Sequence, residues 1–136
     1  MDNFFLKVAS VKAGSKKGTI LAWLDPEKEP SRHFIADLIQ KKQELDKWNG
    51  SILLLFKTPK EKDIFIKKNA GIIPKMTKCA VAVTGSLEQL LTILNKKAVN
   101  DLPAVAFIDG AGNVTYFSEG YKIGFNCHSI TSSLHH

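Results

Sequence analysis

The feature that most constrains the fold of this chain is a short apolar run that leads directly into a helix. Residues 20–24, ILAWL, contain no polar side chain, and a strand without polar alternation is typical of burial on both faces. Asp25 is predicted to cap the helix that follows, with Pro26 in its first turn. Pro30 is tolerated only near a helix start, so regular helix is expected from Glu29.

The rest of the chain alternates predicted strands with predicted helices. Strands are expected at 3–12, 19–24, 51–58, 79–84, 104–109 and 114–118, and helices at 29–48, 60–69, from 86 and at 126–134. In the second helix, Ile64, Phe65 and Ile66 are expected to be the buried residues. Strands that alternate with helices usually pair in parallel with one another. The sequence therefore predicts an α/β fold with helices on both faces of the sheet. A turn at 110–113 is expected to add an antiparallel hairpin to the edge of a mixed sheet.

Length and composition bound the class of protein. The chain has 136 residues, 44% of them apolar and 24% charged, which is typical of one globular domain. No apolar run approaches the roughly 20 residues that a membrane-spanning helix needs, and the short block at 4–6 is not a signal peptide. We therefore expect a single domain over residues 1–136 without a membrane span, taken from a longer multidomain protein.

The net charge of +6 comes almost entirely from lysine. The only arginine is Arg32, whereas specific recognition of nucleic acids favours arginine for its bidentate contacts. The lysine pairs at 16–17, 41–42, 67–68 and 96–97 are spread along the chain and indicate a solvated surface. Nucleic acid is therefore not expected as a partner.

Three features of the sequence are informative together. The strand 20–24 has an aromatic residue near its end and enters a long helix, Leu102-Pro103 precedes the strand at 104–109, and the segment 107–121, FIDGAGNVTYFSEGY, is predicted to form a closing hairpin. Together they resemble the thioredoxin-like fold, and in particular its TlpA-like branch of extracytoplasmic thiol-disulfide proteins, which has a cis-proline at the position of Pro103. The resemblance covers residues 19–134 and implies a three-layer α/β/α sandwich with an extracytoplasmic location.

The active-site motif of that family, Cys-x-x-Cys, has no counterpart here. Alignment on the shared proline places Lys28, Glu29, Pro30 and Ser31 at the four motif positions. Disulfide exchange needs a thiolate and a second thiol that releases the mixed disulfide. A lysine and a serine supply neither, so the resemblance implies a redox-inactive domain with no catalytic residue of its own, and no cofactor or metal is expected.

A looser resemblance depends on WLDPEKEPSRHFIADL at 23–38 with its continuation KKQELDKW, on Leu102-Pro103, and on SEGYKIG at 118–124. These segments resemble thioredoxin-like domains at the C-terminus of transglutaminase-like proteins of some gut bacteria. The resemblance implies that any catalysis belongs to another domain of the full protein. The present domain is then an accessory or interaction module.

Two cysteines leave a second function open. Cys127 is expected early in the last helix, where a helix amino terminus lowers a thiol pKa, so a single-cysteine oxidoreductase or peroxidase is the alternative. Cys79 is expected to be a packed, inert residue, and a disulfide between the two cysteines stays open. A catalytic pair of Ser31 and His33 is disfavoured, because residues two apart on a helix do not face each other.

A binding surface is expected where the strand 19–24 meets Pro103, which precedes the strand 104–109. Trp23, Pro26, Leu102 and Pro103 are predicted to line a shallow groove that pairs with an extended peptide. The expected partner is therefore an extended peptide or a neighbouring catalytic domain.

Overall fold

The computed structural model describes residues 17–48, 50–83, 85–93 and 102–119. These residues form, in chain order, β1 (Thr19–Trp23), α1 (Glu29–Gln40), α2 (Lys42–Trp48), β2 (Ser51–Phe56), α3 (Pro59–Asn69), β3 (Thr77–Val81), α4 (Ser86–Ile93), β4 (Ala104–Ile108) and β5 (Val114–Glu119). The strand predicted at 3–12 and the helix predicted at 126–134 lie outside the described residues.

The described strands form one mixed sheet in the order β3-β2-β1-β4-β5. The three strands β1, β2 and β3 are parallel, while β4 runs antiparallel to β1 and β5 antiparallel to β4. All five residues of β1 are buried, which confirms the prediction of a central strand. The predicted α/β class with a mixed sheet and a closing antiparallel hairpin is confirmed.

The direction of β4 differs from the expectation that antiparallel pairing begins only at the hairpin. Ala104 pairs with Trp23, so β4 starts at the end of the sheet where β1 finishes. The chain therefore returns from α4 to the same end of the sheet and must run back antiparallel. An apolar strand such as AVAFI has the same side-chain pattern in either direction, so the sequence pattern does not distinguish the two.

Two apolar cores lie on opposite faces of the sheet, because successive side chains of a strand point to opposite faces. Ile20 and Ala22 of β1 face a core that includes Phe34 of α1 and Phe65 of α3. On the other side, Leu21 and Trp23 face a core that includes Leu90 of α4. Helices on both faces make the three layers that the sequence predicts.

The helix predicted over 29–48 is divided in two. Lys41 leaves helical geometry with φ −94° and ψ 12°, and its N–H bonds to the carbonyl oxygens of Asp37 and Ile39. Leu45 at the centre of α2 is buried at 1% exposure, so the break allows the second segment to pack on the core at its own angle. Neither glycine nor proline marks this position, which is why the apolar periodicity suggested one helix.

Two further predictions, the buried residues of α3 and the end of β2, are corrected. In α3 only Phe65 is buried, while Ile64 and Ile66 are 54% and 41% exposed. Neighbouring residues of a helix point about 100° apart, so one of three consecutive side chains reaches the core. The strand β2 ends at Phe56 instead of residue 58, because the Thr58 hydroxyl accepts the N–H of Glu61 at 3.1 Å and caps α3.

Candidate functional site

The candidate site begins at the loop that joins β1 to α1. The N–H of Lys28 donates to the carbonyl oxygen of Asp25 at 2.9 Å, and the Asp25 carboxylate accepts the N–H of Glu27 at 3.2 Å. Asp25 therefore stabilises the turn before the helix. The prediction that Asp25 caps α1 is wrong. The capping position belongs to Lys28, whose side chain makes no capping hydrogen bond.

The four residues that the sequence analysis aligned with the redox motif, 28–31, lie at the start of α1. Lys28 has extended backbone geometry, with φ −99° and ψ 140°, and an exposed side chain. α1 starts at Glu29 with Pro30 as its second residue, as the tolerance of proline near a helix start predicts. Ser31 is fully buried at 0% exposure. The site thus presents charged side chains to solvent and a hydroxyl to the interior.

The buried hydroxyl of Ser31 has a structural partner. Its Oγ accepts the backbone N–H of Asp25 at 3.0 Å, which ties the first turn of α1 back to the end of β1. The neighbouring His33 Nε2 lies 3.0 Å from Glu29 Oε1, one helical turn earlier. The hydrogen bond with His33 lowers the pKa of Glu29, helped by the charges of His33 and Arg32. Ser31 thus bonds to Asp25 and His33 to Glu29, so these contacts do not join the two residues as a catalytic pair.

We expect Ser31→Ala to destabilise the domain by about 1–2 kcal/mol, because the Asp25 N–H would lose its acceptor in a partly buried loop. Urea denaturation measures the change in the free energy of unfolding. Thr92→Ala is the matched control, because it removes a hydroxyl whose hydrogen bond to the Glu88 carbonyl is exposed. Equal losses in both variants would show that the Ser31 hydrogen bond has no special weight.

The predicted groove residues are divided between two places. Trp23 is only 5% exposed, and its indole N–H donates to Ser86 Oγ at 3.2 Å. Leu102 packs with Trp23 against the same core and is half-buried, and the buried Pro103 follows it through a cis peptide bond. Pro26 lies instead at a cavity between α1 and α3. Trp23 therefore lies buried beneath Leu102 and Pro103, and Leu102 is the most exposed of these three residues.

Sequence reasoning missed the cavity beside Pro26, which has a volume of about 350 Å³. It is lined by Pro26, Glu27, Arg32, Ile35, Glu61, Ile64, Phe65, Lys68 and Asn69. Glu61 Oε1 is buried there without a hydrogen-bond partner. Ile64 in this wall was the available signal, but three consecutive apolar residues in α3 do not show from the sequence alone which of them are exposed.

A second cavity, of about 390 Å³, lies at the other flank of α3. It is lined by Lys42, Ile66, Ala70, Gly71, Ile73, Pro74, Lys75, Thr77 and Cys79. Cys79 is a free, partly buried thiol. Burial raises the pKa of Cys79 to about 11, against a smaller lowering by the charge of Lys62. Such a thiol is protonated near neutral pH, which agrees with the expected inert cysteine. Cys127 lies outside the described residues.

Alkylation should distinguish the two thiols. With a pKa of about 11, Cys79 should carry roughly 200-fold less thiolate at pH 8 than an ordinary cysteine, so its reaction with iodoacetamide should be slow and accelerate only as the pH approaches 11. Mass spectrometry of the Cys127→Ser variant isolates the rate of Cys79. A rate at pH 8 equal to that of the urea-unfolded variant would contradict the pKa shift.

Within the ranges that the structure describes, no three His, Cys, Asp or Glu side chains come together as metal ligands. Among the same residues, no helix has the length and apolar character needed to cross a membrane.

The fold described above is thioredoxin-like, and comparison with solved structures supports this class. One similar structure is a thiol:disulfide interchange protein of the thioredoxin family from Chlorobium tepidum, with a TM-score of 0.64 and 17% identity, covering 88% of this chain and 81% of that one. Another is the exposed lipoprotein thioredoxin Etrx1 of Streptococcus pneumoniae, with a TM-score of 0.57 and 16% identity, covering 87% and 85%.

A third similar structure is the bacterioferritin comigratory protein of Xanthomonas campestris, described in connection with alkyl peroxide reduction. Its TM-score is 0.62 at 13% identity, covering 89% of this chain and 80% of that one. No family model matches the sequence, and no curated protein matches it. The structural similarity shows the shared fold. At sequence identities this low it does not show the activity, which has to be argued from the site.

Proposed function

We propose that this chain is a redox-inactive, thioredoxin-like accessory or binding domain. The observation that carries the proposal is the chemistry at the start of α1, where the capping residue Lys28 is exposed and Ser31 is buried with its hydroxyl bonded to the Asp25 N–H. Exchange at this turn requires a thiolate and a resolving thiol. An ammonium group and a neutral hydroxyl supply neither electrons nor a leaving sulfur.

The role we propose is to bind an extended peptide or a neighbouring catalytic domain, in an extracytoplasmic protein of which residues 1–136 are one domain. The resemblance to domains attached to transglutaminase-like proteins supports this role, as do the thiol:disulfide proteins among the similar structures. The proposed contact region is Leu102 with Pro103, where Leu102 packs with Trp23 against the same core, while Pro26 lines the separate cavity between α1 and α3.

Reduction of insulin disulfides with dithiothreitol as the electron source tests the first part of the proposal. We expect the chain to accelerate the reaction no more than an equal concentration of serum albumin does, while a working thioredoxin serves as the positive control. Turnover near that of the thioredoxin would reject redox inactivity. If turnover is seen and disappears in Cys127→Ser, the single-cysteine alternative is correct.

The same comparison extends to peroxides, because one of the similar structures is described for alkyl peroxide reduction. Consumption of cumene hydroperoxide that depends on Cys127 and on added dithiol would assign a peroxidase. We expect none above the rate of the Cys79→Ser, Cys127→Ser double variant.

Peptide selection tests the binding role. Peptides obtained by display against the folded domain are titrated into isotope-labelled protein, and we expect the amide and indole signals around Trp23 and Leu102 to shift. Shifts that avoid this region in every selected peptide would place binding elsewhere and remove the proposed groove.

A further inference from the structure

Nearly all of the net charge of this protein lies in one segment, which runs from the end of β2 through α3 and β3. Residues 57–83 contain seven lysines and two acidic residues, a net charge of +5 out of the chain's +6. Six of these lysines are exposed and Lys62 is half-buried. Among the described ranges, this segment has the largest excess of lysine over acidic residues.

The same segment holds the exposed large apolar side chains of the described residues. They are Ile64 at 54% exposure, Ile66 at 41%, Ile72 at 46%, Met76 at 43% and Val83 at 37%. Single exposed apolar residues need no explanation, but a set of them confined to one basic segment is typical of an interaction surface.

Helix geometry selects which flank of α3 carries the surface. Phe65 points into the core, so Ile66 emerges about 100° away on one flank and Lys67 points outward. Ile66 shares the 390 Å³ cavity with Lys75 and with the loop that follows α3. Ile72 and Met76 belong to this loop. We call Ile66, Lys67, Ile72, Lys75 and Met76 the basic apolar surface.

The loop of this surface is held in place by contacts to the rest of the fold. The Lys75 N–H donates to Asp46 Oδ1 at 2.8 Å, and the Met76 carbonyl accepts the N–H of Ile52 at 3.2 Å. The Ile72 N–H donates to the Asn69 carbonyl at 3.1 Å. The backbone is therefore anchored while the side chains of Ile72 and Met76 stay exposed, so little ordering is needed before this loop meets a partner.

The composition of the surface favours a lipid surface over a protein partner. Protein interfaces are enriched in arginine and aromatic residues and depleted in lysine. Here the segment 57–83 has seven lysines and no arginine, and its large exposed apolar residues are isoleucine, methionine and valine. Lysine attracts anionic headgroups without demanding a fixed geometry, and aliphatic side chains enter the boundary between headgroups and acyl chains.

We propose that the basic apolar surface docks this domain reversibly onto an anionic membrane surface. The ammonium groups of Lys67 and Lys75 face the headgroups, and Ile66, Ile72 and Met76 enter the interface between headgroups and acyl chains. The proposal is independent of the redox chemistry of α1, because the basic apolar surface includes none of Lys28, Ser31, Cys79 and Cys127.

Sedimentation with vesicles tests the proposal on the full chain. We expect binding to vesicles of mixed phosphatidylcholine and phosphatidylglycerol, release at high salt, and no binding to phosphatidylcholine alone. Each lysine near an anionic surface contributes about fivefold in partitioning, so the Lys67→Glu, Lys75→Glu variant should bind at least about 30-fold more weakly. Ile66→Ser with Ile72→Ser should weaken binding without changing its salt dependence.

The matched control reverses the same amount of charge elsewhere. Lys28→Glu with Lys47→Glu also lowers the net charge from +6 to +2, at two exposed positions outside the segment, and should retain most of the binding. Circular dichroism confirms that each variant is folded. Absence of vesicle binding, equal binding to neutral vesicles, or an equal loss in the control would each overturn the proposal. Binding to soluble polyglutamate without binding to vesicles would identify an acidic protein as the partner instead.

Discussion

The Lys28→Cys, Ser31→Cys variant should reduce insulin disulfides on the order of 10- to 100-fold faster than the natural chain. The gain is expected because position 28 is the N-cap position of α1 and position 31 lies in the first turn, with its side chain directed to the Asp25 N–H. A helix amino terminus stabilises a thiolate, and the second thiol releases the mixed disulfide. Glu27 and Glu29 oppose the thiolate, so the variant should remain slower than a working thioredoxin.

The two single variants are the controls for this gain. Lys28→Cys alone should form mixed disulfides that accumulate without turnover, and Ser31→Cys alone should stay unreactive because its thiol is buried at a position with 0% exposure. Mass spectrometry follows the mixed disulfide, and the insulin assay follows turnover. If the double variant neither oxidises to an internal disulfide nor turns over, the first turn of α1 does not have the geometry of the redox motif.

Phe34→Ala should destabilise the domain by about 3–5 kcal/mol, which is a large part of the stability of a domain of this size. Phe34 is fully buried and joins α1 to the core that β1 and β2 build on one face of the sheet. Loss of the ring removes its burial and leaves a cavity that the sheet cannot fill, since neighbouring strands are fixed by their hydrogen bonds. Urea denaturation at constant pH measures the change.

Ile64→Ala is the matched control, because it truncates an apolar side chain that is 54% exposed on a helix. The expected change is within about 0.5 kcal/mol, helped by the higher helix propensity of alanine. A loss in Phe34→Ala as small as that in the control would show that α1 does not depend on this contact with the sheet.

The local features of the candidate site were predictable from the sequence. Pro30 places the start of α1 at Glu29, because proline lacks the N–H that a helix interior needs. The apolar run 20–24 predicts a buried central strand, since it leaves no face for solvent. The burial of Ser31 was not predictable, because a serine in a first helical turn is ordinarily exposed and its burial depends on where β1 directs the loop.

The sequence by itself determined that a buried strand enters a helix that starts just after Lys28 and has Ser31 in its first turn, because propensity and apolar periodicity are local properties. The tertiary structure alone decided the antiparallel direction of β4, the division of the long helix at Lys41, and the exposure of Ile66, Ile72 and Met76. Those features depend on which elements pack together, and residues far apart in the chain meet only after the sheet has formed.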